Sequence, residues 1–140
     1  MESFSGACHC QNIRYKLYWP ASAPKPQARA CQCSFCQKHQ GVYTSHPDAQ
    51  LDISLEDSHQ VHRYTFGTKT AEFHICQQCG VVPFVTSEIQ GKTYAVVNVH
   101  TLESLKVPIQ ESKPSDFDSE SAEQRLSRRQ QSWIAQVRFL

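Results

Sequence analysis

The residues of this chain best suited to chemistry are its seven cysteines, which fall in three groups. The groups are Cys8-His9-Cys10, Cys31-Gln32-Cys33-Ser34-Phe35-Cys36 and Cys76-Gln77-Gln78-Cys79-Gly80. In an extended strand, residues i and i+2 point to the same side, so a Cys-x-Cys pair can offer two thiolates to one metal ion. A Cys-x-x-Cys turn does the same by curling its backbone around the ion, and a following glycine permits the tight conformation. The spacing therefore predicts metal binding.

Disulfide formation is the other common use of so many cysteines. The N-terminal segment has neither the basic nor the apolar region of a secretory signal, and no apolar run is long enough to span a bilayer. We therefore expect a soluble cytoplasmic protein, in which thiols stay reduced. The odd number of cysteines agrees, because a complete disulfide framework would leave one thiol over.

Two of the cysteine groups together supply the four thiolates that close a tetrahedral zinc site. The predicted ligands of this zinc are Cys8, Cys10, Cys76 and Cys79. Four protein ligands leave no position for a substrate, so the site is interpreted as structural. It would join the N-terminal strand to the middle of the chain.

The third group is compact enough for all of its thiols to reach one second zinc ion, and it consists of Cys31, Cys33 and Cys36. Three protein ligands and an exchangeable fourth ligand are typical of catalytic zinc sites. The alternative is that His39, three residues after Cys36, closes the site. Three thiolates make zinc a weak Lewis acid, so the expected chemistry is capture and deprotonation of an external thiol. A thiol adding to a carbonyl is the simplest such reaction.

The elements that must position these thiols are mainly short strands. Residues 13–19 alternate bulky apolar and more polar side chains, the period of a half-buried strand. Further strand candidates, separated by glycines, lie at 42–45, 60–65, 71–75, 81–86 and 94–99. Several short strands with turn signals between them predict an all-β body.

The last quarter of the chain differs from this pattern. After a polar stretch at 111–121, apolar residues recur at roughly helical spacing, at Ala122, Leu126, Trp133 and Val137. Ser121 with Gln124 fits a capping box. We expect a terminal helix that packs one apolar edge on the sheet rather than an interaction helix. A short basic edge on this helix is interpreted as a solvated face, formed by Arg125, Arg128 and Arg129.

Length and charge limit the classes of partner. A chain of 140 residues fits one compact domain, and we expect residues 1–140 to form a single zinc-binding domain. Its 14 basic and 13 acidic residues give no field that would recruit nucleic acid or an anionic membrane. The remaining histidines are interpreted as surface or packing residues, namely His9, His46, His59, His62, His74 and His100.

Around its cysteines, the sequence resembles the glutathione-dependent formaldehyde-activating enzyme family, which also contains centromere protein V. Three segments carry the resemblance: Gly6-Ala7-Cys8-His9-Cys10 followed by Ile13-Arg14-Tyr15, Cys31-Gln32-Cys33-Ser34-Phe35-Cys36 with Gly41, and Phe73-His74-Ile75-Cys76-Gln77-Gln78-Cys79-Gly80. They cover about residues 5–99. The tail at about 112–140 does not align with the usual ending of the family.

The resemblance implies a mainly β fold of packed antiparallel sheets, here followed by the C-terminal helix. It implies a structural zinc on the residues matching Cys8, Cys10, Cys76 and Cys79. It places a second zinc on Cys31, Cys33 and Cys36. The activity of the family is condensation of formaldehyde with glutathione to S-(hydroxymethyl)glutathione, classed as a carbon-sulfur lyase reaction.

The leading hypothesis is therefore an enzyme with two zinc ions per chain. Glutathione or another small thiol would complete the zinc shell at the catalytic cysteines Cys31, Cys33 and Cys36, then add to formaldehyde or a related electrophile. The substrate pocket would be lined by the tail or by the loop at 43–47. Two alternatives remain: a binding module in which both zincs are structural, and a redox sensor that releases zinc from oxidised thiolates.

Overall fold

Two β-sheets and two α-helices make up residues 1–109 and 113–140, the part of the chain that the computed structural model describes. The strands are β1 (Glu2–Ala7), β2 (Ile13–Trp19), β3 (Arg29–Cys31), β4 (Val42–Thr44), β5 (Gln50–Leu55), β6 (Val61–Tyr64), β7 (Glu72–Cys76), β8 (Phe84–Ile89), β9 (Lys92–Asn98), β10 (Lys113–Ser115) and β11 (Gln136–Phe139). The helices are α1 (Ser34–His39) and α2 (Ala122–Ser132). Within those ranges, no helix has the length and apolar character needed to cross a membrane.

The smaller sheet has the strand order β1-β2-β5-β11, and the larger sheet has the order β10-β3-β4-β9-β8-β7-β6. Neighbouring strands are antiparallel except at two pairs, β10 with β3 and β11 with β5. Both exceptions are edge pairs made by the C-terminal part of the chain. The predicted fold class, a mainly β protein of packed antiparallel sheets with a C-terminal helix, is confirmed.

Strand β2 shows how the smaller sheet contributes to the core. Its odd-numbered residues are buried, whereas Arg14 and Lys16 between them are exposed. The buried face of this sheet packs against the larger sheet in one apolar cluster, which includes Ile13, Leu17, Leu51, Ile53, Phe84, Ala95 and Val97. The main core therefore lies between the two sheets.

The larger sheet is buried on its other face as well. Phe84 of β8 points into the core between the sheets, whereas the next residue, Val85, belongs to a second apolar cluster. Val96 of β9 and Trp133, which follows α2, lie in that second cluster. Strands buried on both faces read as nearly continuous apolar runs, as β9 does. The larger sheet is thus a middle layer, with α2 packed against β8 on its outer side.

The predicted strand at residues 13–19 is confirmed at both ends by β2, and the other five candidates correspond to β4, β6, β7, β8 and β9 with ends shifted by one to three residues. Several elements were not predicted, namely β1, β3, β5, β10, β11 and α1. Helix α1 has only six residues, too few for an apolar repeat to show.

The C-terminal helix begins with the predicted capping box. The Gln124 backbone N–H donates to Ser121 Oγ at 3.2 Å, and the Ser121 backbone N–H donates to Gln124 Oε1 at 2.8 Å. The helix ends at Ser132, so the helical position predicted for Val137 is wrong. Ile134 exchanges two backbone hydrogen bonds with Ala95, which holds the chain extended and leads Val137 into β11. The predicted start of the tail near residue 112 lies outside the described residues.

An ion pair joins β11 to β5. Arg138 Nε donates to Asp52 Oδ1 at 2.8 Å, and a second guanidinium nitrogen donates to Asp52 Oδ2 at 2.7 Å. The two residues face each other in the parallel register. These hydrogen bonds from Arg138 lower the pKa of Asp52. The charged carboxylate therefore favours the folded state above its unfolded pKa of about 4.

We expect Asp52→Asn to lower the thermal unfolding midpoint by several degrees at pH 7, because the amide cannot accept both charged hydrogen bonds. The difference from the wild type should shrink as pH falls through the lowered pKa of Asp52, where the wild-type carboxyl also becomes neutral. Glu56→Gln, which removes the exposed pair with Arg14, is the matched control with little effect. A pH-independent difference would contradict this account. Thermal melts from pH 7 to pH 3 make the measurement.

Candidate functional site

Four cysteine thiols meet where the first loop approaches the turn after β7. Cys10 Sγ lies 3.8 Å from Cys8 Sγ and 3.5 Å from Cys76 Sγ. With Cys79, the four sulfurs all lie within 4.8 Å of one another. Sulfurs at the corners of a tetrahedron around zinc lie roughly 3.8 Å apart, given a Zn–S distance of about 2.3 Å. The group therefore has the donor set and spacing that could hold a zinc ion.

Local backbone hydrogen bonds place these thiols. The Ile13 backbone N–H donates to Cys8 Sγ at 3.3 Å, which orients a sulfur that is almost fully buried. After β7, the Gly80 N–H donates to the Cys76 carbonyl at 2.7 Å and closes the turn that carries Cys79. Gly80 has φ +80°, a conformation that side chains other than glycine rarely adopt. The turn glycine singled out in the sequence thus has its expected role.

The surroundings of the four thiols differ in polarity. Burial raises the pKa of Cys8 to about 12. Burial also acts to raise the pKa of Cys79, but backbone N–H donors of Val81 and Cys10 outweigh it and lower that pKa to about 6. A cation among the sulfurs would favour the thiolate form of all four.

The other three cysteines meet at the start of α1. Cys31 is the last residue of β3, and Cys33 is the N-cap of α1. The Cys36 backbone N–H donates to Cys33 Sγ at 3.4 Å. The three sulfurs lie within 4.8 Å of one another. The sequence prediction that they are compact enough to share one ion is consistent with this geometry. Gly41 packs so closely that a Cβ there would come within 2.6 Å of the Tyr43 hydroxyl.

The three thiols differ in their readiness to ionise. Hydrogen bonds from Cys31 and Cys36 lower the pKa of Cys33, while the hydrogen bonds with Cys31 and Cys33, together with burial, raise the pKa of Cys36. The Tyr43 hydroxyl lies 3.4 Å from Cys36 Sγ. Burial and the neighbouring thiols raise the pKa of Tyr43, so its hydroxyl stays protonated and can donate to a Cys36 thiolate.

His39, the alternative fourth ligand, is not brought into this group. Its ring packs on Phe35, with ring centroids 4.4 Å apart. Its Nε2 is buried and has no hydrogen-bond partner among the described residues, and burial lowers the pKa of the ring. In this arrangement the three thiols stand without a fourth protein ligand from the described part of the chain.

A cavity of about 580 Å³ opens beside the three thiols, all of which line it. It lies on the outer face of the larger sheet, where Phe73, Val85 and Val96 form part of its floor. Tyr43 and Trp133 add aromatic surface. The thiols therefore border a largely apolar space of the size that holds a small molecule.

Four arginines also line the cavity, namely Arg29, Arg125, Arg128 and Arg129. Three of them belong to α2 and form the basic edge that was interpreted as a solvated face. That interpretation is wrong, because the helix lies over the cavity and leaves Arg129 only 6% exposed. Both segments proposed for the substrate pocket reach this cavity: several residues of the tail line it, and Tyr43 is the one residue of the 43–47 loop that does.

Two other parts of the cavity wall were not predicted from the sequence. Arg29 comes from β3, and residues 66–68, 70 and 71 come from the connection between β6 and β7. Neither segment carries a motif. Their role depends on strand order, which places β3 and β7 in the same sheet.

Comparison with known proteins agrees with the fold and with the cysteine pattern. A crystal structure of a Rhodobacter sphaeroides protein is 24% identical in sequence, covers 79% of this chain and 97% of its own, and has a TM-score of 0.55. This likeness shows a shared fold. The sequence model described as glutathione-dependent formaldehyde-activating enzyme matches residues 3–118, which include all seven cysteines. The chain belongs to the glutathione-dependent formaldehyde-activating enzyme family.

Proposed function

We propose that this protein is a zinc-dependent enzyme of the carbon-sulfur lyase type that joins a small thiol, glutathione, to formaldehyde or a related electrophile. The observation that carries the proposal is the group of three thiols within 4.8 Å of one another on the wall of a cavity of about 580 Å³. Membership of the family supports the reaction class.

The seven cysteines form two clusters in space, one of four thiols and one of three, and each cluster holds one zinc ion. The structural zinc is held by Cys8, Cys10, Cys76 and Cys79, where four thiolates complete a tetrahedron. The second zinc is held by Cys31, Cys33 and Cys36, which are the catalytic residues. When bound, a zinc ion with three thiolate ligands favours the thiolate form of an external thiol at its exchangeable position.

The reaction needs no oxidant or reductant. The sulfur electron pair forms a bond to the carbonyl carbon, the carbonyl π electrons move to oxygen, and the proton lost by the thiol ends on that oxygen. The product is the hydroxymethyl thioether. The reverse direction breaks the same carbon-sulfur bond.

Residues around the three thiols orient a sulfur atom and surround the reacting atoms with apolar surface. The Tyr43 hydroxyl lies 3.4 Å from Cys36 Sγ, where it can donate to the thiolate form of Cys36 and orient that sulfur. Phe73, Val85 and Val96 surround the thiols with apolar surface, which limits the access of water to the reacting atoms.

Residues 1–140 form one zinc-binding domain that works in a reducing compartment such as the cytoplasm. All seven cysteines are free thiols, as metal ligation requires. The C-terminal part belongs to the same unit, because β11 extends the smaller sheet and Trp133 packs in the cluster that contains Cys36.

We expect two zinc ions per chain in protein purified anaerobically without chelators, measured by elemental analysis. Cys33→Ser should retain one zinc and a folded core, since Cys33 is partly exposed and lies outside the core between the two sheets. Cys76→Ser should lose the other zinc and fold poorly, because structural zinc contributes on the order of 10 kcal/mol to folding and Cys76 is fully buried. One zinc in the wild-type protein would contradict the two-site assignment.

Turnover should depend on the three-thiol group. Cys33→Ser is expected to reduce the condensation of glutathione with formaldehyde to the uncatalysed rate, because a sulfur that holds the second zinc is lost. Lys38→Ser, an exposed change on the same helix, is the control and should retain full activity. Exchange spectroscopy by NMR measures the rate above background. A wild-type protein that gives no acceleration would instead favour a non-catalytic zinc-stabilised binding module.

His39→Phe distinguishes an open second site from a closed one. Phenylalanine keeps the packing on Phe35 and removes both ring nitrogens. We expect this variant to keep two zinc ions and near wild-type turnover, because His39 is not gathered with the thiols. Loss of one zinc on this substitution, measured by elemental analysis, would show that the histidine is a ligand.

A further inference from the structure

The cavity beside the three thiols carries more positive charge than its acidic neighbours balance. Four arginines line it, whereas the acidic lining residue is Asp118, which is exposed. Glu120 pairs with Arg128, whose Nε lies 3.0 Å from the carboxylate. No carboxylate of the described residues pairs with Arg125 or Arg129.

Arg129 is held in place by neutral partners. One of its terminal nitrogens donates to the Thr70 carbonyl at 3.2 Å, to Thr70 Oγ1 at 2.8 Å and to Ser87 Oγ at 3.2 Å. Its guanidinium carbon lies 5.0 Å from the centre of the Trp133 ring. These contacts fix the side chain in a single orientation at the cavity wall, where it is 94% buried.

The Nε atoms of Arg125 and Arg129 are both buried without a hydrogen-bond partner among the described residues. The two arginines are four residues apart on α2, so they lie on the same face of the helix. A buried donor without an acceptor is unfavourable, and a charged one more so. The Nε atoms themselves are out of reach of a ligand, but both side chains line the cavity. The terminal nitrogens of Arg125 and the second terminal nitrogen of Arg129 have no hydrogen-bond partner among the described residues and are not buried, so an anion in the cavity can accept from them.

Repulsion between these arginine side chains also favours the binding of an anion in the cavity. Burial, followed by the charges of Arg128 and Arg125, lowers the pKa of Arg129 to about 10. The side chain is still charged at neutral pH. By its hydrogen bonds to Thr70 and Ser87, Arg129 joins the β6–β7 connection to β8. These hydrogen bonds involve only one of its terminal nitrogens.

We propose that Arg125 and Arg129 form an anion subsite that binds a carboxylate of the thiol substrate and makes the enzyme select negatively charged thiols. A carboxylate can accept hydrogen bonds from two guanidinium groups at once, which suits the terminal nitrogens that both arginines leave without a partner. The identification of the ligand as a thiol substrate rests on the proposed function. The two residues lie beyond the segment matched by the family model, which ends at residue 118, so this selectivity belongs to the C-terminal part of this chain.

The test uses the zinc-loaded full chain and S-methylglutathione, which keeps both carboxylates of glutathione but has no free thiol. Binding is measured by isothermal titration calorimetry. We expect the diethyl ester of the same probe, which lacks both carboxylates, to bind at least about 10-fold more weakly. Equal binding of acid and ester would overturn the subsite.

Arg125→Gln, at a partly exposed position, should weaken binding of S-methylglutathione about 10-fold or more and leave binding of the ester unchanged. Arg14→Gln, at an exposed arginine on β2 that does not line the cavity, is the matched control. Circular dichroism checks that both variants fold. An unchanged affinity for S-methylglutathione in Arg125→Gln would overturn the proposal, as would tighter Arg125-dependent binding of inorganic phosphate than of S-methylglutathione.

The two proposals fail in different ways. Binding that depends on the carboxylates and on Arg125 in a protein without turnover supports the anion subsite and contradicts the enzymatic reaction. Turnover whose KM is the same for N-acetylcysteine and for its neutral amide contradicts the subsite and leaves the reaction intact.

Discussion

Strands β8 and β9 alternate their side chains between two apolar clusters, and the positions of the other layers depend on this alternation. Phe84 and Val97 face the smaller sheet, while Val85 and Val96 face outward. A sheet with two apolar faces needs cover on both sides. The smaller sheet covers one side, and α2 with Trp133 covers part of the other. The space left under α2 is the cavity.

The two cysteine groups occupy different positions in this layered arrangement. Cys8 and Cys76 belong to the core between the sheets, so a metal held there would join strands distant in sequence. Cys36 belongs instead to the outer cluster beside the cavity. Cysteines of the first group therefore lie in the core, whereas Cys31 and Cys33 of the second group are partly exposed beside the cavity. The proposed structural zinc site thus lies against the core between the sheets, and the proposed catalytic site borders the cavity.

Helix α2 combines structural and electrostatic functions. Trp133 at its end fills the outer cluster, while Arg129 joins the helix to Thr70 and Ser87 by hydrogen bonds. A buried guanidinium needs several acceptors, and the protein provides them for one nitrogen only. The helix thus holds the cavity wall together and at the same time leaves positive charge facing the space beside the thiols. Its position in the cavity wall supports the proposed role of the C-terminal part of the chain in selecting the ligand.

The sequence by itself determined the cysteine groups, the half-buried strand at Ile13–Trp19 and the capping box at Ser121, because each depends on spacing between near neighbours. It did not determine the strand at Val137, which exists because β5 offers a partner 86 residues earlier at Asp52. Nor did it determine that Arg125, Arg128 and Arg129 line a cavity. A basic helical edge looks the same in sequence whether it faces water or a pocket. Only the packing of α2 over the larger sheet decided between the two, since burial depends on contacts between residues far apart in the chain.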